Sequence, residues 1–134
     1  MTPQPGAPVV VVAAAVIEHH GRFLVTRRPS GVHLEGLWEF PGGKCEPDEA
    51  LTSCLEREIR EELGTGICVG VELFTTAHAY PDRTVELHFF ACGLQGEPRP
   101  MLGQAMRWVT RDELAGLEFP PADGALIARL SRAM

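Results

Sequence analysis

The chain has 134 residues, 45% of them hydrophobic and 22% charged, a balance suited to one globular domain over 1–134 with a core of its own. Its formal net charge of −6 argues against a nucleic acid polymer as partner, whereas a small phosphate ester carried in with a cation meets no such objection. Cys45, Cys54, Cys68 and Cys92 form no C-x-x-C pair and have no histidine at zinc-ligand spacing, so reduced, mostly buried thiols are expected.

Residues 1–7 hold Pro3, Pro5 and Gly6 and are expected to form a loose tail. Val9 to Glu18 is rich in valine and alanine, the pattern of a strand covered on both faces. Its apolar run is too short to span a bilayer and lacks the basic start and cleavage pattern of a signal peptide, so no membrane partner and a cytoplasmic location are expected. The polar EHHGR segment turns the chain, with His19 and His20 exposed, and Arg22 to Arg27 supplies the next strand. Pro29 to Gly36 reads as a loop. Trp38 and Phe40 then alternate with Glu39, so a short strand there would bury both aromatics and deliver Gly42-Gly43, where backbone can approach a ligand closely.

From Ala50 to Leu63 the period changes: Leu51, Leu55, Ile59 and Leu63 recur every four residues, and Gly64 is a natural stop. At about 100° per residue, Glu58 and Glu62 share the face of Leu51 and Leu55, Glu61 lies beside them, and Arg60 points to solvent. The last turn of a helix disfavours anions by roughly 0.3–1 kcal/mol each, and the crowded carboxylates repel one another. Divalent cations would relieve both, and oxygen-only ligands suit Mg²⁺.

Ile67 to Ala79 and Thr84 to Cys92 are two β-rich runs joined by the turn Tyr80-Pro81-Asp82-Arg83, with Val85, Leu87 and Phe89 inward. Gly93 to Gln104 is an irregular loop and Met106 to Val109 a last short strand. Asp112 to Leu117 reads as a helical turn, and Ala122 to Arg132 as a closing helix with Leu126, Ile127 and Leu130 inward. Strands before and after a central helix, with a helix at the end, indicate an α/β domain with helices on both sides of a mixed sheet.

Gly43, Glu49, Arg57-Glu58-Ile59, Glu61-Glu62 and Gly64 match the Nudix box, G-x5-E-x7-R-E-U-x-E-E-x-G-U, where U is a bulky aliphatic; only Thr65 departs, at the last aliphatic position. Outside the box, Trp38-Glu39-Phe40-Pro41, Pro81-Asp82-Arg83, Gly103-Gln104 and Phe119-Pro120-Pro121-Ala122 also resemble MutT-type members. The resemblance covers nearly the whole chain and implies the Nudix α/β/α sandwich with its mixed β-sheet between helices.

The resemblance also implies Mg²⁺-dependent (Mn²⁺ in its place) hydrolysis of a nucleoside triphosphate to monophosphate and pyrophosphate, a nucleotide-pool cleansing activity that protects DNA. By the family pattern Gly42 (through its carbonyl), Glu61 and Glu62 are metal ligands, and Glu58 is a ligand or the general base. Arg57 is expected to pair with Glu49 and hold the loop rather than act directly, and Glu49, opening the helix, suits the dipole. MutT-type proteins often carry an acidic residue just before the loop Gly-Gln; here that position is Leu102, so Glu58 is the expected base and Glu97 the alternative. Arg28, Arg83, Phe40 and Asp123 are the substrate candidates, each with a bland alternative: surface arginines, a core phenylalanine, and an N-cap aspartate. The expected partner is a small nucleotide, 8-oxo-dGTP or a cytosine nucleotide, with monomer and homodimer both open. A Nudix hydrolase of another nucleoside diphosphate derivative and a non-catalytic nucleotide sensor are the competing readings.

Overall fold

The computed structural model describes residues 8–32 and 34–132; the expected tail over 1–7 lies outside the described residues. Seven strands form a mixed sheet: β1 (Val9–His19), β2 (Arg22–Arg27), β3 (Trp38–Glu39), β4 (Gly42–Lys44), β5 (Ile67–Tyr80), β6 (Arg83–Leu94) and β7 (Met106–Thr110). The main path runs β3-β2-β1-β6-β5, with β4 added to β1 and β7 to β2. Among the described residues only β1 and β6 pair in parallel, from Val9↔Thr84 to Ile17↔Cys92.

The alternation along β1 explains the layers. Ala13, Ala15 and Ile17 face one cluster, where helix α1 (Leu51–Leu63) lays Cys54, Leu55, Ile59 and Leu63, all inaccessible to solvent. Ala14 and Val16 face the other, which Leu114 of α2 (Arg111–Gly116) and Leu126 of α3 (Gly124–Arg132) cover. Alanines in the middle of β1 leave room for both layers to pack close, and each fully buried leucine or isoleucine on α1 contributes about 1.5–3 kcal/mol. This is the expected α/β/α sandwich. Helix α1 ends at Gly64, whose φ of 68° is the left-handed cap the sequence predicts.

Element ends differ in small ways. Tyr80 pairs with Arg83, so the β5–β6 connection is the two residues Pro81-Asp82. Helix α2 starts one residue early because Thr110 and Glu113 close a reciprocal capping box. A short 3₁₀ turn, Pro121–Asp123, precedes α3, so the closing helix is two pieces.

The cysteines require a correction. Cys45, just past β4, and Cys54, in the second turn of α1, are joined by a disulfide, while Cys68 and Cys92 are free. The chain reverses between β4 and α1, which brings the two Cα atoms to 5.4 Å. Spacing along the sequence does not show such a reversal.

Candidate active site

Burial of Leu55, Ile59 and Leu63 fixes the rotation of α1 and carries Glu58 and Glu62 to the rim of the helix–sheet interface. Strand β4 meets them there. A Cβ placed on Gly43 would lie 2.3 Å from the Glu58 carboxyl, and one on Gly42 would lie 2.1 Å from the Ala13 carbonyl oxygen. Gly42 is therefore required by the close approach of the β1 backbone, while a side chain at Gly43 would displace the Glu58 carboxyl. The Glu62 carboxyl accepts the Gly42 N–H; burial, then the charges of Glu39 and Glu58, push its pKa up to about 9.

Arg57 holds this group from the side. Its Nε and Nη2 donate to Glu49 at 2.9 Å each, and its Nη1 donates to Glu58 at 2.9 Å and stands 3.6 Å from Glu61. Bonds from Arg57, then from the Glu46 N–H, pull the Glu49 carboxyl down to about 2. Glu49 does not cap the helix. The N-cap is Ala50, with no side-chain bond to the first turn and no acidic residue within it.

One cleft of about 410 Å³ opens beside Glu62 and the glycine pair. Val12, Leu87, Phe89 and Phe40 are among its apolar walls, while Lys44, Arg28, Glu39, Tyr80, Arg83 and Asp123 bring polar groups to it. Arg28 Nη1 donates to Glu39 at 2.9 Å. The Glu39 charge raises the pKa of both Glu62 and Asp123, so Glu39 lies within electrostatic reach of each. Burial comes first among the causes that push Asp123 up to about 7, followed by Glu39, with Arg28 pulling the other way.

The expected site residues divide accordingly. Glu62, Gly42, Arg28, Arg83, Phe40 and Asp123 all line the cleft; Glu58 touches it through Gly43; Glu61 does not line it, with a side chain 58% exposed. Phe40 is a core residue as well, packed edge-on to Phe89 and against Phe119. Arg83 also pairs with Asp82 at 2.9 Å. Leu102 lines the cleft while remaining 70% exposed, and Glu97 is exposed and outside the lining. Sequence reasoning missed Glu39, Lys44 and Tyr80. Glu39 pairs with Thr26 of β2, which sets it diagonal to Arg28 just past that strand, a register that the sequence does not display.

Can these residues hold a cation? Among the described residues no three His, Cys, Asp or Glu side chains gather as a ready-made ligand group. Mg²⁺ does not need such a cage, since it keeps several waters and takes one or two carboxylates. Glu58 and Glu62 are all-oxygen donors close enough to interact, and burial, then the negative charges of Glu39 and Glu58, raise the Glu62 pKa, a cost that a bound cation would relieve. The donor chemistry fits a hard divalent ion.

A family model described as a NUDIX domain matches residues 12–129. The chain belongs to the Nudix family. Among its relatives are the CTP pyrophosphohydrolase of Escherichia coli, 36% identical over 89% of each chain, and the 8-oxo-dGTP diphosphatase of the same species, 32% identical over 90% of this chain and 95% of that one. The solution structure of the E. coli ORF135 protein superposes with a TM-score of 0.82 at 34% identity, covering 95% of this chain and 91% of that one. The MutT protein of Methanosarcina mazei superposes with a TM-score of 0.83 at 25% identity, over 94% and 95%. This Nudix chain is of the MutT type, with its box on β4, the following loop and α1.

Proposed function

We propose that this Nudix chain is a single catalytic domain that hydrolyses nucleoside triphosphates to monophosphate and pyrophosphate, with oxidised nucleotides such as 8-oxo-dGTP among its substrates. The observation that carries the reading is one cleft lined both by Glu62 with the glycine pair and by Arg28, Glu39 and Asp123. Phosphates and base of one nucleotide can therefore be held together. Glu58, Glu62 and the Gly42 carbonyl would hold Mg²⁺, with Glu61 joining from the same turn; when bound, the ion neutralises phosphate charge and activates water. Arg57 aims the Glu58 carboxylate, which takes the proton of the attacking water as the phosphoanhydride P–O bond breaks. Lys44 and Arg83 offer positive charge to the phosphate oxygens, and the apolar walls with Phe40 receive the base.

A second reading, cytosine nucleotides as preferred substrates, is favoured by Glu39 and Asp123, the carboxyl groups of the cleft besides Glu62, since carboxylates accept from an exocyclic amine. With either substrate the proposed role is in the nucleotide pool, and the proposed location is the cytoplasm.

The test is a panel of 8-oxo-dGTP, dCTP, CTP, 5-hydroxy-dCTP, a nucleotide sugar and a dinucleotide, scored for pyrophosphate against phosphate. Pyrophosphate release that disappears in EDTA is expected. Glu58→Gln should lose roughly 10²–10⁴-fold in rate with the fold intact, and Glu97→Gln should change little. Undiminished turnover in EDTA, or orthophosphate as the only product, overturns the proposal.

A further inference from the structure

The disulfide lies where the candidate metal loop joins its helix. Cys45 extends the β4–β1 pairing through its N–H to the Val11 carbonyl at 2.8 Å, and Cys54 Sγ is 3.9 Å from the Gly43 carbonyl oxygen. The bond therefore fastens α1 directly to the strand that carries Gly42 and Gly43. A second observation marks this end of the helix as needing a fastener. Its N-cap is Ala50, without a side-chain bond and without an acid in the first turn, whereas an Asp, Ser or Thr cap ordinarily secures such an end. The loop between the two sulfurs contains Glu49, whose carboxylate is committed to Arg57 and through it to the aim of Glu58.

We propose that the Cys45–Cys54 bond is a reversible thiol–disulfide site that positions the metal-binding carboxylates, so that forming the bond tightens metal binding and breaking it loosens both. The proposal rests on the reading of Glu58 and Glu62 as metal ligands. Its chemical partner is a dithiol reductant. One reductant thiolate attacks the sulfur of Cys45, the less buried of the two residues at 7% exposure against 0%, and displaces the Cys54 thiolate. The second reductant thiol then attacks the mixed disulfide and leaves as the reductant's own disulfide. Two electrons and two protons pass to Cys45 and Cys54. A low-molecular-weight disulfide reverses the exchange. The exposed residues Glu46, Pro47 and Asp48 form the solvent-facing part of the loop between the two cysteines.

Linkage makes this a quantitative claim: if the bond raises metal affinity by some factor, bound metal must disfavour reduction by the same factor. In the whole protein, thiol titration after denaturation without reductant should find two thiols, and four after reduction. Calorimetric titration with Mn²⁺, in the absence of nucleotide, should show affinity weaker by about 5-fold or more in the reduced protein. Saturating Mn²⁺ should lower the reduction midpoint of the bond by about 30 mV for each tenfold of that difference. A Cys45→Ala/Cys54→Ala protein should bind like the reduced form and ignore reductant, and Cys68→Ser should behave as the parent chain. Four thiols before reduction, or equal Mn²⁺ affinity in both states, overturns the proposal. Absence of Mn²⁺ binding in either state instead removes the metal reading itself, and the coupling with it.

Discussion

Asp123 is 5% exposed, and burial with the nearby Glu39 holds its carboxyl near a pKa of about 7. An aspartate at the ordinary carboxylate value would be only an acceptor at neutral pH, but a group poised near 7 takes both roles. Below about pH 7 the neutral acid can donate a hydrogen bond; above it the carboxylate can only accept. Guanine O6 needs a donor and the cytosine amine needs an acceptor. The ratio of kcat/KM for 8-oxo-dGTP over dCTP should therefore fall as pH rises from 6 to 8.5, on the order of tenfold for one charge-assisted bond. Asp123→Asn, which offers donor and acceptor at every pH, should flatten the profile. A flat ratio in the parent chain would leave Asp123 only as the residue that leads into α3.

At the scale of elements, helix α1 was legible because its signals are local. Leu51, Leu55, Ile59 and Leu63 repeat on one stripe, and Gly64 supplies the left-handed stop. What sequence could not show is how the far end of α1 is completed from a distant loop. The Arg99 N–H bonds the Leu63 carbonyl at 2.8 Å, and the Met101 N–H and the Gln104 side-chain amide both bond the Glu62 carbonyl at 3.0 Å. Gln104 also accepts the Leu102 N–H at 2.9 Å. A loop read only as irregular thus satisfies the orphan carbonyls of the helix that carries Glu62. The same reasoning explains the other misses. Glu39 read as a spacer between two aromatics, and its role in the cleft depends on Arg28 arriving from another strand. The Cys45–Cys54 bond depends on a chain reversal that composition does not encode. Gln104→Ala removes two hydrogen bonds and should cost about 1–3 kcal/mol of stability, and should raise the Mg²⁺ concentration for half-maximal turnover while leaving the nucleotide KM unchanged. A loss of stability with no change in Mg²⁺ requirement would make Gln104 a structural fastener alone.

For the whole molecule, the carboxyl cluster links stability, pH and metal. Burial, then Glu39 and Glu58, raise Glu62 from an ordinary carboxyl value to about 9 in the metal-free fold. The sign follows from linkage: a raised acid pKa means the fold binds the proton more tightly than the unfolded chain does. No penalty exists below the ordinary value near 4.5, it grows as pH climbs, and it levels off above about 9. Asp123 adds a penalty of the same sign, complete by about pH 7. Metal-free protein should therefore lose stability steadily between pH 5 and 9. Mg²⁺ binds the ionised carboxylate, so it competes with that proton and should bind more tightly as pH rises, releasing protons to the buffer. At 100 times its dissociation constant the ion stabilises by about 2.7 kcal/mol, or about 10 °C in a domain of this size. The gain in Tm from a fixed Mg²⁺ concentration should be small at pH 6 and largest near pH 9. Thermal melts in EDTA and in Mg²⁺ across that range would measure it, and a gain that does not vary with pH would mean that the ion bypasses Glu62.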